Sequence, residues 1–265
     1  SSAASDVYKR QVEPTASFWD AGEYISTAAK LQIGHPPGAP LFQMIGAFFA
    51  LFAPNPEKIA LMVNLMSVFS SAFTILFLFL TITLLFDKIF NFESYKTLID
   101  KFTFFGSAAI GALALCFSDS FWFNAVEAEV YAMATLILSI LFYLALKWEK
   151  EMNTPRGDRW LLLISFVIGL SFGVHFMGLL TIPAIGMLYY FKNYKKVTLK
   201  GFISANIIST AILLFIFKLL LPLTLSFFGN TEVYVVNEIG LPFNSGTIIA
   251  ALILSLIHIS EPTRR

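Results

Sequence analysis

The chain has 265 residues, of which 57% are hydrophobic and only 13% are charged, and its mean hydropathy is +0.74. These values exclude an ordinary soluble domain and predict a polytopic protein of the lipid bilayer. The net charge of +1 comes from lysines and arginines in short separate loops, so no nucleic-acid partner is indicated. The single cysteine, Cys116, lies in an apolar run, which is typical of a small packed side chain and excludes a disulfide framework or a thiolate metal site.

Both ends of the chain resemble sequencing adapters. A nucleotide string that encodes Ser5 to Gln11 has a reverse complement that encodes Leu254 to Ile259. Two ends of a natural protein are not expected to encode each other's complement. We therefore interpret residues 1–11 and 254–265 as adapter-derived, and 12–253 as a fragment of a natural chain that lacks its first helix.

Apolar runs that approach the ~20 residues of a bilayer span predict a bundle of helices. In chain order the runs are 59–86, 102–118, 128–148, 160–174, 176–191 and 201–224, with another that begins at 246. The run 38–53 is shorter, and it either crosses the membrane or lies in the interface as an amphipathic helix. We expect the interfacial helix, and we expect the segment 225–245 to be an outer loop.

Positive charges predict which loops lie on which side of the membrane. Lysines and arginines cluster in the loops 87–101, 149–159 and 192–200, whereas the alternate loops contain almost none. The positive-inside rule places these three loops in the cytoplasm and the acidic motifs on the outer face. The acidic motifs share that face only if 38–53 does not cross the membrane.

The segment 18–24, FWDAGEY, carries two carboxylates between apolar runs. A transferase that moves a group to a hydroxyl needs a carboxylate to accept the proton, and we predict Asp20 in this role. Trp19 offers a face for a sugar ring, and Glu23 lies one helical turn from Asp20 on the same face. The alternative is a helix cap, with Asp20 as the N-cap and Glu23 as its capping-box partner.

Two further polar motifs supply candidate substrate-binding residues. His35 lies in the stiff turn 34–40, GHPPGAP, and is either a partner of a phosphate or hydroxyl or a surface histidine without a role. The segment 118–131 is either a sugar-binding element or the acidic start of a helix in a solvated loop. Its candidates are Trp122, Asn124, Glu127, Glu129 and Tyr131.

Two residues at the predicted outer ends of apolar helices complete the set. His175 is either a ligand or a structural histidine, and Lys218 either binds a phosphate or anchors its helix by snorkelling. The spacing of the histidines and acids matches no compact metal motif, so we predict no metal and no cofactor. The sequence contains no Walker loop, which disfavours direct use of a nucleotide.

The three motifs, in this order, resemble those of bacterial membrane proteins that were once grouped as a domain of unknown function. They are now classed with protein O-mannosyltransferase-like enzymes of the GT-C type, and a eukaryotic relative transfers mannose to plexin-type receptors. The resemblance covers nearly all of 12–253. It implies a GT-C-like helix bundle with interfacial helices in the first outer loop, where the acidic catalytic residue corresponds to Asp20 with Glu23 beside it. It also implies a polyprenyl-phosphate sugar as the donor.

The sequence therefore predicts an all-α polytopic membrane protein that acts as an inverting glycosyltransferase. The resemblance implies transfer of mannose from a polyprenyl phosphate to a hydroxyl of an exported protein, in the bacterial inner membrane with the active site facing the periplasm. A secondary transporter is expected to place ionisable groups in broken helices at mid-membrane, whereas nearly all acids here lie in loops on one face. A non-catalytic component of surface polysaccharide assembly stays an open alternative.

Overall fold

The computed structural model describes residues 12–17, 19–36, 38–90 and 97–260, with side chains up to residue 256. Those residues form helices and turns and contain no β-strand, which confirms the all-α prediction. The chain forms two compact units, 1–196 and 197–265, and each is described separately.

The first unit contains eight α-helices among its described residues. They are α1 (Ala21–Lys30), α2 (Pro40–Ala50), α3 (Ile59–Phe90), α4 (Leu98–Cys116), α5 (Asp119–Ala125), α6 (Val130–Glu151), α7 (Gly157–Ser171) and α8 (Thr181–Asn193). Short 3₁₀ turns at Pro56–Lys58 and Phe176–Leu180 precede α3 and α8.

The second unit contains one long helical stretch and a second helix. α9 (Leu199–Phe215), a π-helical turn (Ile216–Leu220) and α10 (Leu221–Asn237) follow one another without a break, and α11 (Ser245–Ser260) comes after a turn. Pro222 has no N–H to offer the carbonyl of Lys218, and the π-helical turn lies at this point. The predicted loop over 225–245 is wrong in its first half, because no proline follows Pro222 until residue 242 and the helix continues to Asn237.

In the ranges that the structure describes, four helical stretches are long and apolar enough to cross a bilayer, and the protein is a multi-pass membrane protein. They are Pro56–Phe90, Leu98–Cys116, Val130–Glu151 and Leu199–Asn237. Two other predicted spans form helices that are too short for a full span, because the run 160–174 forms α7 of 15 residues and the run 176–191 forms α8 of 13 residues. At 1.5 Å per residue these helices are about 22 and 20 Å long, against about 30 Å of hydrocarbon.

α2 is too short to cross a membrane. Its 11 residues extend about 16 Å, which agrees with the expectation that 38–53 does not cross. The backbone N–H groups of Leu41 and Phe42 donate to the carbonyl oxygen of Gly173 over 2.7 and 3.1 Å. These bonds satisfy two donors that the first turn of a helix leaves free, and they fix the turn before α2 next to the segment that contains His175.

The core of the first unit surrounds α6, which packs against α3, α7 and α8. Met133, Ile137 and Leu141 recur at helical spacing and are buried. α3 contributes a buried stripe of small and polar side chains, which permits a close approach of helices. The stripe consists of Asn64, Ser67, Ser70, Ser71 and Thr74.

The segment 12–17 lies against α3 and the end of α5. The side-chain amide of Asn64 donates to the carbonyl oxygens of Glu13 (2.6 Å) and Thr15 (3.0 Å). The backbone N–H of Glu13 donates to the carbonyl oxygen of Val126 over 3.0 Å. These bonds fix the direction in which the chain enters the first acidic motif.

The loops predicted to be cytoplasmic meet at one end of the first unit. Glu149 accepts from Lys88 at 3.0 Å and lies 3.7 Å from Lys192, and Lys150 lies 3.7 Å from Asp87. The three basic loops therefore lie on one side, as the charge pattern predicts.

The two segments interpreted as adapter-derived lie largely outside the described residues. Residues 1–11 and 261–265 are not described, and α11 passes residue 254 without a break. Their origin stays a prediction.

Candidate active site

A cavity of ≈ 430 Å³ in the first unit brings the three polar motifs together. Its lining contains eight residues predicted from the sequence, together with three that were not predicted. The predicted ones are Trp19, Asp20, His35, Asn124, Glu127, Glu129, Tyr131 and His175, and the others are Tyr24, Phe123 and Val130. Both acidic motifs therefore lie on the same side of the first unit, as a single site requires.

Asp20 and Glu23 do not form the capping box that was the alternative interpretation. Asp20 occupies the N-cap position of α1, but its side chain accepts no capping hydrogen bond. The carboxylate of Glu23 is directed to His35 instead of back to the start of the helix. Trp19, at a φ of 60° and 88% exposed, precedes this start and lines the cavity. Such a φ is unusual for a bulky residue and is typical of functional sites.

Glu23 holds His35 at two points. Its Oε1 accepts from the backbone N–H of His35 over 2.6 Å, and its Oε2 lies 3.0 Å from His35 Nδ1. A side chain at Gly34 would place its Cβ 3.1 Å from Glu23 Oε1, so glycine makes room for this contact. The hydrogen bonds from the ring and the backbone of His35 lower the pKa of Glu23, and the bond to Glu23, followed by its charge, raises the pKa of His35.

His35 Nε2, the other ring nitrogen, faces the catalytic candidate. It lies 3.8 Å from Asp20 Oδ2, and both side chains are about half exposed. The ring of Tyr24 packs 6.0 Å from the His35 ring and edge-on to Phe42 at 5.2 Å, which fixes one wall of the cavity. Burial raises the pKa of Tyr24 to about 12, so its hydroxyl keeps its proton at neutral pH.

Glu127 and Glu129 are two buried carboxylates of the cavity lining. Ser17 donates to Glu127 over 2.6 Å, which ties this residue to the segment 12–17. Burial raises the pKa of Glu127, and the Ser17 bond partly offsets the effect. Glu129 is 7% exposed, and one of its carboxylate oxygens, Oε1, has no hydrogen-bond partner within the described part of the chain. Burial, followed by the charges of Glu127 and Asp20, raises the pKa of Glu129 to about 7.

Tyr131 and His175 form the far wall, with their ring centroids 5.6 Å apart. The backbone N–H of Met177 donates to His175 Nδ1 over 3.2 Å. An imidazole that accepts on Nδ1 carries a proton on Nε2. His175 is therefore suited to donate a hydrogen bond into the cavity.

Three predicted site residues do not line the cavity. Trp122 stacks on Phe117, and it diverges from the cavity-lining Phe123 because an α-helix turns about 100° per residue. Glu23 contacts His35, and Lys218 belongs to the second unit, with its ammonium 5.3 Å from the Phe217 ring. Tyr24 was the main residue missed, although its spacing of four from Asp20 places both on one face of α1.

Comparisons with known proteins agree with the motifs. The sequence model of the family described as "Protein O-mannosyl-transferase TMEM260 N-terminal domain" matches residues 20–198. Over 155 residues the chain is 25% identical to "Protein O-mannosyl-transferase tmem260" of Dictyostelium discoideum. The aligned region covers 58% of this chain and 17% of the relative.

A second relative, "Protein O-mannosyl-transferase TMEM260" of Mus musculus, is 28% identical over 155 residues, which is 57% of this chain and 19% of that protein. The chain thus spans less than a fifth of the length of these two relatives. No solved structure matches the chain. Because the matched residues make up more than half of the chain and include nearly all of the cavity lining, the chain belongs to the family of the TMEM260 protein O-mannosyl-transferase N-terminal domain.

Proposed function

We propose that this chain carries the catalytic site of a GT-C-type glycosyltransferase that moves mannose from a polyprenyl phosphate to a serine or threonine hydroxyl of an exported protein. The observation that carries the proposal is the convergence of Asp20 and His35 with the 123–131 segment around one cavity. The names of the two relatives support mannose as the sugar and protein as the acceptor.

Asp20 is the proposed general base. Its carboxylate accepts the proton of the acceptor hydroxyl while the hydroxyl oxygen forms a bond to the anomeric carbon of the sugar. The bond from that carbon to the phosphate oxygen breaks at the same centre, so the anomeric configuration inverts and the polyprenyl phosphate leaves. The lack of a capping bond to the Asp20 side chain supports this role, because the carboxylate is not committed to the helix.

The remaining lining residues are proposed to bind the sugar and the phosphate. Trp19 and Tyr131 offer aromatic faces to the sugar ring, and the carboxylates of Glu127 and Glu129 and the amide of Asn124 offer hydrogen bonds. His35 Nε2 is the proposed partner of the phosphate. Trp122 and Lys218 stay proposals as substrate-binding residues on the sequence alone.

The location proposed for this reaction is the outer face of the bacterial inner membrane, with the cavity towards the periplasm. The meeting of the basic loops at one end of the first unit supports this orientation.

The test is direct transfer. Membranes that contain the full chain are incubated with labelled polyprenyl-phosphate mannose, and we expect label in protein that alkaline β-elimination releases as free sugar. The product should have the anomeric configuration opposite to that of the donor. Polyprenyl-phosphate glucose and a nucleotide-linked mannose are the matched controls. Efficient transfer from the nucleotide-linked sugar, or retention of configuration, would contradict the proposal.

A further inference from the structure

The cavity contains an excess of negative charge. Asp20, Glu127 and Glu129 line it, and Glu23 lies next to it through His35. Among the lining residues that the structure describes, there is no lysine or arginine. An anionic phosphate is repelled by such a lining unless a cation accompanies it.

The groups nearest to each other have the arrangement of a metal site. Asp20, Glu23 and His35 each offer one ligand atom, and these atoms all lie within 4.8 Å of one another. Glu23 binds His35 through Nδ1, which leaves Nε2 directed to Asp20 Oδ2 at 3.8 Å. Two ligand atoms that each lie about 2.1 Å from one ion at a tetrahedral angle are about 3.4 Å apart. A small rotation of the half-exposed Asp20 side chain would bring Oδ2 from 3.8 Å to that distance from His35 Nε2.

The contact between Glu23 and His35 is the contact that metal-binding histidines make. A histidine that coordinates a metal through one ring nitrogen usually donates the N–H of the other to a carboxylate, which sets the tautomer and the direction of the ring. Here Glu23 Oε2, 3.0 Å from Nδ1, is that carboxylate, and its Oε1 also holds the backbone N–H of His35.

An independent observation at the same cavity also indicates a cation. Glu129, which lines the cavity, is 7% exposed, and its Oε1 has no hydrogen-bond partner among the residues that the structure describes. The backbone amide of Asp20 faces the Glu129 carboxylate, so the two residues are neighbours. A buried carboxylate oxygen without a donor is costly, and a bound cation supplies the missing partner.

We propose that Asp20 and His35, oriented by Glu23, bind a divalent transition-metal ion in this cavity, with the carboxylate of Glu129 beside it. One imidazole with carboxylates suits Zn²⁺ or Mn²⁺, whereas Ca²⁺ takes oxygen ligands. The purpose of the ion rests on the proposed function: with His35 Nε2 on the ion, the ion takes the place of the ring as the partner of the phosphate and neutralises the leaving group. One oxygen of Asp20 on the ion leaves the other oxygen for the acceptor hydroxyl.

The test is binding, which is measured without any glycosyl transfer. The full chain in detergent micelles is treated with a chelator, freed of it, and titrated calorimetrically with Zn²⁺ and with Mn²⁺. We expect one ion per chain, with affinity about tenfold or more lower in Asp20→Asn and His35→Gln and about 10–100-fold lower in Glu23→Gln. His175→Gln and Glu57→Gln are the controls, since His175 lies in the same cavity outside the cluster and Glu57 is an exposed acid elsewhere.

A second measurement needs no variant and so does not depend on the folding of one. The electron spin-echo spectrum of Mn²⁺ bound to the native chain should show modulation from one imidazole nitrogen. No binding by the native chain, native affinity in both Asp20→Asn and His35→Gln, or a spectrum without nitrogen modulation would overturn the proposal. Binding without mannose transfer would leave the metal site standing and contradict only the proposed function.

Discussion

Glu23 and His35, twelve residues apart in the chain, are joined by two hydrogen bonds to one carboxylate, 2.6 Å from the His35 backbone N–H and 3.0 Å from Nδ1. The sequence placed Glu23 beside Asp20 either as its catalytic neighbour or as its capping-box partner. In the structure the Glu23 carboxylate contacts the backbone and the ring of His35, and that ring in turn faces Asp20. The two acids of the first motif therefore make different contacts.

The first prediction concerns Glu23→Gln. The amide oxygen can accept one of the two hydrogen bonds from His35 but carries no charge, so the ring loses part of its orientation. We expect mannose transfer to fall roughly tenfold, since misplaced catalytic groups lose rate steeply with small displacements. Initial rates at saturating donor measure the effect, with Glu57→Gln as a control. A loss as large as that of Asp20→Asn would show that Glu23 acts on the substrate itself.

The second prediction concerns the base. Asp20→Asn keeps the size of the side chain but cannot accept a proton, so transfer should fall by roughly 10²-fold or more. The amount of protein should stay near that of the native chain, because 56% of the Asp20 side chain is exposed. Asp158→Asn, the same change at an exposed position of α7, is the matched control. If Asp20→Asn retains most of its activity, the base is another acid of the cavity, and Glu129 is the next to substitute.

The sequence predicted the long helices and the convergence of motifs because both depend on local signals. The apolar run 59–86 became α3, and the positive charges correctly grouped three loops that meet through Lys88, Glu149 and Lys192. Side-chain partners were harder to predict because they depend on three-dimensional contacts. A capping box and a bond to His35 are equally compatible with the spacing of Glu23, and only the position of the 34–40 turn decides between them.

The sequence also predicted the ends of some helices wrongly, and each error has a specific physical cause. α8 begins at Thr181 and not at 176, because Phe176–Leu180 form a 3₁₀ turn, which apolar composition does not distinguish from an α-helix. α10 continued past 224 because polar residues such as Asn230 and Glu232 are tolerated within a helix. Glu232 accepts from the backbone N–H groups of Asn244 and Thr247, a tertiary contact that supports the turn before α11 and that no local pattern indicates.

The third prediction tests the contact that fixes the turn before α2. A Cβ at Gly173 would lie 2.7 Å from Leu41 Cβ and 3.2 Å from the Leu41 backbone nitrogen. We expect Gly173→Ala to lower the free energy of unfolding by about 1–3 kcal/mol, the usual cost of overpacking. Gly169→Ala is the matched control in α7, since nothing lies within 4 Å of its Cβ, and it should be neutral or stabilise by up to about 1 kcal/mol through helix propensity.

Thermal unfolding of both variants in the same detergent compares them. Equal unfolding temperatures for the two variants would show that α2 and the 173–175 segment are not tightly coupled.

The fourth prediction is topological. In a Cys116→Ser background, cysteines at Ser26 and Ser120 should react with a membrane-impermeant thiol reagent in intact spheroplasts, whereas one at Lys195 should be shielded. All three positions are exposed, so reactivity reports the side of the membrane rather than burial. Opening the membrane should make Lys195→Cys reactive, which controls for its intrinsic reactivity. Labelling of Ser26→Cys only after opening would show that 38–53 crosses and would break the single-site arrangement.

The last prediction concerns Lys218, which the sequence placed near the outer end of a helix that stops at 224. The helical stretch instead extends from Leu199 to Asn237, so Lys218 lies near its middle. The stretch has 39 residues and is about 58 Å long, whereas the hydrocarbon core is about 30 Å thick. Lys218 lies about 28 Å from Leu199. If the helix enters the core near Leu199, Lys218 lies close to the opposite, outer interface. At that depth an ammonium either binds the donor phosphate or anchors the helix.

If Lys218 binds the phosphate, Lys218→Met should raise the donor KM roughly tenfold, because one charged hydrogen bond is lost. The kcat and the acceptor KM should stay unchanged. Lys195→Met, an exposed lysine of a basic loop, is the control. Donor kinetics equal to those of the native chain would assign Lys218 to the anchor and leave the phosphate to the proposed ion that His35 helps to bind.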